Sequence, residues 1–287
     1  MLLPLSAIQA LGHAVFTLQG SKTRELTSGK RAMKLYEKAG AGSGPPALLV
    51  HGLGGNASSF LPLVRPLAKV CRRVLVVDLP GHGRSNIKRG ERPLNIDELG
   101  EAVLAALDFI GEPAVLIGNS LGGALTLNAL LERPERVLGW VGLAPAGAPL
   151  DENDRAALRS HFSGGSLKAA RDLQRRLWHK VPGPAWLVLR DFGRYWRIPE
   201  VQAMVAEVLS SRVELGLERL RNKPRPALVL WGESDRLLPM HSVAFFRQHL
   251  GEAGVELVPR CGHLPQLERP RLVAARLQRF VKELPAR

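Results

Sequence analysis

Residues 114–124 read Ala114-Val115-Leu116-Ile117-Gly118-Asn119-Ser120-Leu121-Gly122-Gly123-Ala124. An apolar run ends at a glycine, a serine follows in the pattern G-x-S-x-G, and a helix-compatible run begins behind it. A strand, a sharp turn carrying the serine and then a helix is the context in which this pattern has a mechanism. Gly118 and Gly122 let strand and helix backbones approach without a Cβ between them. Ser120 is expected at the apex of the turn, beside a helix N-terminus that favours developing negative charge. The same letters also describe an ordinary strand-to-helix loop with chance glycines, so the rest of the chain has to decide.

Working outward, the apolar run Ala47-Leu48-Leu49-Val50 ends at His51-Gly52-Leu53-Gly54-Gly55, and Val74-Leu75-Val76-Val77 ends at Asp78-Leu79-Pro80-Gly81-His82-Gly83-Arg84-Ser85. Short, solidly apolar runs are the mark of strands buried on both faces. Between them the spacing predicts helices. One lies over 60–70; another is opened by Asn95, with Glu98 three residues on as a capping box. Val137 to Leu143 reads as the next strand, and residues 23–38 read as a hairpin turning at 27–30. This alternation predicts an α/β fold with a mostly parallel central sheet covered by helices on both faces. The loops after its strands should open on one side.

From Pro149 to Pro224 the alternation stops. Ala169, Ala170, Leu173, Leu177, Trp178 and Val181 suit one helix face, and Val201, Met204, Val205, Val208 and Leu209 another. We read 149–224 as an inserted all-helical cap over the strand ends. The core occupies 21–148 and 225–287, and 1–20 is a separate apolar helical segment. The pattern resumes with a strand at Ala227 to Trp231, a helix at Phe245 to Leu250, a strand at Val255 to Val258 and a C-terminal helix from Leu272 to Leu284.

Serine at neutral pH is a poor nucleophile and needs a base within reach. The base needs a partner to fix its tautomer and stabilise its cation. Residues of both kinds follow strands, in the order Ser120, Asp235, His263. Each has a bland reading; Asp235, for one, could merely cap its loop. Glu233 competes for the acid role, and His51 and His82 also follow strands but precede the serine. Acyl transfer further needs donors for an oxyanion, and the backbone N–H groups of Leu53 and Leu121 are the candidates. The glycines after His51 match neither phosphate-binding spacing, so nucleotide binding is set aside.

The net charge is +14. Much of the excess lies in 22–38, with six basic and two acidic residues, and in 155–197, with ten and two. Such a balance attracts acidic substrates or anionic membranes, though a basic soluble surface would look the same. No nucleic-acid module is recognisable. The two cysteines, Cys71 and Cys261, form no framework and fit a reducing, cytoplasmic setting. The first 19 residues lack Lys and Arg, hence a secretory n-region. Leu5, Ile8, Leu11, Val15 and Leu18 suit one face of a packed or interfacial helix, so peripheral contact with an anionic membrane is a further expectation.

Five motifs together resemble the serine α/β-hydrolase superfamily with a helical cap, from about residue 30 onward. They are His51 to Gly55, Asp78 to Ser85, Gly118 to Gly123, Gly232-Glu233-Ser234-Asp235 and Gly262-His263-Leu264-Pro265-Gln266-Leu267-Glu268. The resemblance implies a hydrolase with Ser120 as nucleophile, His263 as base and Asp235 as its orienting acid. It is broadest toward carboxylesterases and monoacylglycerol lipases, whose substrates are small acyl esters. The elbow is also similar to that of hydrolases cleaving carbon–carbon bonds in anionic ring-fission dienones, although those commonly have Trp where Leu264 stands. A non-catalytic binding protein of the same fold is the remaining class. No metal, nucleotide or organic cofactor is implied. Trp178, Leu187, Phe192 and Trp196 are candidates for an acyl pocket, or for packing between cap helices.

Overall fold

The computed structural model describes residues 5–85, 90–162, 165–183, 189–210 and 225–285. The chain opens with α1 (Leu5–Leu18), then the hairpin β1 (Lys22–Ser28) and β2 (Arg31–Ala39). β3 (Ala47–Val50), a 3-10 turn at Ala57–Phe60, α2 (Leu61–Ala68) and β4 (Arg73–Asp78) follow. Next come α3 (Ile96–Ile110), β5 (Ala114–Asn119), α4 (Leu121–Glu132) and β6 (Val137–Leu143). Between β6 and β7, the described residues form only helices: α5 (Glu152–Phe162), α6 (Leu167–Leu177), α7 (Leu189–Tyr195) and α8 (Pro199–Ser210). β7 (Ala227–Gly232), α9 (His241–Leu250), β8 (Val255–Val258), α10 (Pro265–Glu268) and α11 (Pro270–Lys282) complete the chain. Leu187 and 211–224, the end of the expected insertion, lie outside the described residues.

The eight strands form one sheet in the order β1-β2-β4-β3-β5-β6-β7-β8. β1 and β2 pair antiparallel, as do β2 and β4, and every later pairing is parallel. Successive side chains alternate across the sheet, and both faces are dry. Leu48, Val50, Leu75, Val77 and Leu116 pack with Leu99, Val103 and Leu125 of α3 and α4. Leu49, Val74, Val76 and Ile117 pack on the other side with Leu63 of α2 and Leu277 of α11. Because β3 to β8 run in one direction, Val50, Asp78, Asn119, Leu143, Gly232 and Val258 all end at one rim.

The expected Asn95 cap is present: its side chain accepts from the Glu98 N–H while Glu98 reaches back to the Asn95 N–H. The N-terminal segment is helical as expected and packs through a residue outside the face read from the sequence. Phe16 is buried and stacks on Tyr36 with ring centroids 4.3 Å apart, whereas Leu11 and Leu18 are 62% and 80% exposed. The inner side of α1 follows the aromatic contact, and those two leucines face outward. β1 lies at the sheet's edge and is exposed along most of its length.

Candidate active site

Ser120 lies between β5 and α4 with φ 53° and ψ −121°, a left-handed conformation that disfavours a side chain and recurs at functional sites. Its surroundings enforce it. The Ser120 N–H donates to the Leu143 carbonyl at 3.1 Å, and its own carbonyl accepts from Gly123 and Ala146, both at 2.9 Å. A Cβ on Gly118 would sit 2.2 Å from the Gly122 carbonyl oxygen, and one on Gly122 would sit 2.2 Å from that of Val50. The turn therefore closes only with glycine at both places.

Asp235 and His263 are brought together directly. His263 Nδ1 lies 2.7 Å from Asp235 Oδ2, with both side chains almost fully buried. A carboxylate only accepts, so Nδ1 carries the hydrogen. The other carboxylate oxygen, Oδ1, accepts from the N–H groups of Leu237 and Leu238 at 2.8 and 3.2 Å. His263 Nε2 is buried and has no hydrogen-bond partner among the described residues, so no such bond joins it to Ser120 Oγ in this structure. Glu233, the competing acid, is exposed.

Asn119, just before the serine, ties the rim together. Its Nδ2 donates to the Leu143 carbonyl at 2.8 Å and to the His263 carbonyl at 3.2 Å. A second tie comes from Glu268, which accepts from the Gly262 N–H at 2.7 Å and from the His179 N–H at 2.8 Å. Neither residue was singled out by pattern, although both stand inside the quoted motifs.

The other two rim histidines are neutral braces. His51 Nδ1 lies 2.8 Å from the Gly52 carbonyl oxygen, and its Nε2 accepts from the Leu79 N–H at 3.1 Å. Burial pushes its pKa down to about 4 against that carbonyl bond. Burial, with His51 beside it, takes His82 down to about 3. His51 thus links the loop carrying Leu53 to the end of β4. Asp78, raised by burial, accepts from Ala57 N–H, Arg84 N–H and the Tyr36 hydroxyl.

Ser120, Leu53 and Leu121 line one cleft enclosing about 860 Å³ out to its open mouth. Leu121 opens α4, where its N–H has no intrahelical acceptor. Leu150, Leu158, Phe162 and Val208 supply apolar wall, so α5 and α8 help build the cleft. Of the two readings of the cap aromatics, packing is the one the structure supports for Phe192 and Trp196. Phe192 and Trp196 are absent from the wall and pack instead as an aromatic cluster with Phe162 and Tyr195, at centroid distances of 5.0 to 6.0 Å. Trp196 lies over Gly54, where a Cβ would sit 2.3 Å from its ring. Trp178 ends α6 and also lies off the cleft wall.

Residues 47–276 match the alpha/beta hydrolase family, and the chain belongs to it. A dihydrolipoyllysine-residue acetyltransferase component of an acetoin cleaving system from Pseudomonas putida is 32% identical over 277 residues, covering 92% of this chain and 70% of that protein. A pimeloyl-[acyl-carrier protein] methyl ester esterase from Nitrosospira multiformis is 28% identical, covering 84% of this chain and 96% of that one. Among solved structures, a 2-hydroxy-6-oxo-6-phenylhexa-2,4-dienoate hydrolase from Rhodococcus sp. strain RHA1 is similar with a TM-score of 0.78 and 25% identity, over 91% of this chain and 99% of that one.

Proposed function

We propose that this hydrolase cleaves carboxylic esters through an acyl-enzyme on Ser120. His263 Nε2 takes the Oγ proton as the oxygen attacks the ester carbonyl, and Asp235 stabilises the imidazolium through Nδ1. The N–H groups of Leu53 and Leu121 receive the oxyanion. Collapse breaks the carbonyl–alkoxy bond, and the imidazolium gives its proton to the departing alcohol. A water then attacks the acyl-enzyme with His263 as base, and the acid leaves as Ser120 regains its proton. The observation carrying this reading is the His263 ring, bound to Asp235 through Nδ1 while its buried Nε2 has no partner among the described residues.

The test is turnover of p-nitrophenyl esters. Ser120→Ala should lower kcat by about 10⁴-fold or more with the fold intact by circular dichroism, and a fluorophosphonate should label the wild type alone. Undiminished turnover removes Ser120 from the mechanism, and failure of the folded wild type to label favours a non-catalytic binding protein.

Carbon–carbon bond cleavage is the second reading, favoured by the Gly118 to Gly123 elbow and by likeness to the Rhodococcus hydrolase. Leu264 stands against it. Turnover of a ring-fission dienone, with esters left untouched, would establish it. We infer a small-molecule partner rather than nucleic acid, no required cofactor, and peripheral contact of α1 with anionic membrane.

A further inference from the structure

The loop that carries Leu53 reads His51-Gly52-Leu53-Gly54-Gly55, three glycines in five residues. Such backbone is intrinsically loose, whereas an oxyanion donor works only when it is held in place before the charge develops. The loop forms a tight turn. The Gly55 N–H donates to the Gly52 carbonyl at 2.9 Å, and Gly54, the third residue of the turn, has φ 68°, as a type II turn requires there. At Gly52 the turn abuts the nucleophile: a Cβ would sit 2.9 Å from Ser120 Cβ and 3.2 Å from the Asn119 carbonyl oxygen.

At Gly54 it abuts the helical stretch between β6 and β7. A Cβ there would sit 2.3 Å from Cη2 and 2.6 Å from Cζ2 of Trp196, so the far edge of the indole lies against bare glycine backbone. Trp196 follows α7 and is 3% exposed. Its Nε1 has no hydrogen-bond partner among the described residues, so packing places the ring. Phe162, Tyr195 and Phe192 surround it with centroids at 5.0, 5.1 and 6.0 Å. Gln202 Nε2 donates to the Phe162 carbonyl at 2.9 Å and also to that of Trp196, which ties the end of α5 to the backbone under the ring. A large ring packed on several sides moves little, and it bears on the residue next to the donor.

We propose that Trp196 is a positioning residue for the oxyanion turn: its ring fixes Gly54, and through Gly54 the Leu53 N–H, relative to Ser120. It touches no reacting atom. This rests on the esterase reading above, in which Leu53 receives the oxyanion.

The experiment measures p-nitrophenyl butyrate turnover per site labelled at completion by a fluorophosphonate, so that the amount of folded enzyme cancels. Trp196→Leu should lower kcat about tenfold or more with KM little changed, and should weaken inhibition by a trifluoromethyl ketone, whose adduct with Ser120 carries the oxyanion, by a similar factor. Trp196→Phe, a smaller ring, should fall between. Phe192→Leu removes a cluster member farther from Gly54; it should lower the melting temperature and leave kcat in place. A double-mutant cycle reads the contact itself, even where Trp196→Leu does not fold. Gly54→Ala pushes a Cβ into the indole, and Phe at 196 lacks the atoms it meets, so the loss of kcat should be about fivefold or more larger in the wild type than in Trp196→Phe. The strain of a positive φ is common to both backgrounds and cancels. Wild-type kcat in a folded Trp196→Leu, an equal loss in Phe192→Leu, or the same Gly54→Ala loss in both backgrounds overturns the positioning role while the esterase reading stands. A folded wild type that neither turns over esters nor labels removes the esterase reading and the positioning role together.

Discussion

The backbone N–H of His263 donates to the carbonyl of Leu177 at 2.8 Å, so the imidazole is positioned partly by a helix some 85 residues earlier in the chain. That bond is one stitch of several. Glu268 holds the His179 and Gly262 N–H groups with one oxygen each, and His179 Nδ1 lies 2.8 Å from Ser234 Oγ beside Asp235. The end of α6 is therefore sewn to both loops that carry the Asp235–His263 pair.

Removing the two-handed acceptor should disturb alignment more than affinity. Glu268→Ala is expected to lower kcat for a p-nitrophenyl ester by about tenfold or more, since sub-ångström displacements at a reacting centre weigh heavily on rate. KM should move far less. Glu268→Gln keeps one carbonyl acceptor and should fall between. A kcat equal to wild type would mean that these stitches do not set the position of His263.

The buried histidines make stability fall in acid. His51 and His82 have pKa values pushed down to about 4 and about 3 in the folded protein, while the unfolded chain takes up protons near 6.5. Between these limits the unfolded state binds more protons, so their contribution is full above about 6.5 and declines as pH drops toward the folded values. Asp78 acts in the opposite sense at the acid end, because its raised pKa lets the folded state bind a proton first. The melting temperature should therefore fall from pH 7 to pH 4, and His51→Gln should start lower and fall less steeply. A flat wild-type profile over that window would contradict the neutral, braced assignment.

Two glycines of opposite standing make a paired test of packing. Gly122→Ala drives a Cβ to 2.2 Å from one backbone oxygen and 2.5 Å from another, so a loss of about 3 kcal/mol or more is expected in urea denaturation. Gly100 lies inside α3, and a Cβ there meets nothing within 4 Å. Gly100→Ala should stabilise by about 0.5–1 kcal/mol.

The outward leucines of α1 give the proposed membrane contact a test. Leu11→Glu and Leu18→Glu alter side chains that are mostly in solvent, so melting should hardly change while salt-sensitive binding to anionic vesicles drops. Phe16→Ala removes the stack on Tyr36 and should cost about 3 kcal/mol of stability. Vesicle binding unaffected by either glutamate would assign α1 a purely packing role.

Much of this architecture was readable because its signals are local. Nearly solid apolar runs marked β3 to β7, β8 was read from a run broken by Glu256, and Asn95 with Glu98 marked the start of α3. α9 begins at His241, earlier than the apolar pattern indicated, because Met240 offers no side-chain cap. The positions of α5 and α7 were not legible within the helical stretch, since their spacing is sparse in apolar residues. Asp235 and His263 were legible through their order after strands, and Ser120 through its glycines. Asn119 and Glu268 were not, because each bonds to a partner far away in the chain, His263 and His179 respectively, that no periodicity reveals. Trp196 has the composition of a pocket residue but packs in an aromatic cluster, a choice made by tertiary neighbours alone.

The outermost ribbon of the sheet has a consequence for how this molecule meets its own kind. Lys22, Arg24 and Glu25 stand exposed along β1, and at the opposite border Glu256 of the four-residue β8 is paired with Arg276. Charged or very short borders discourage the end-to-end accretion of sheets into fibres. Self-association of this protein, where it occurs, is thereby directed to helical surfaces, and concentrated solutions are guarded against strand-templated precipitation.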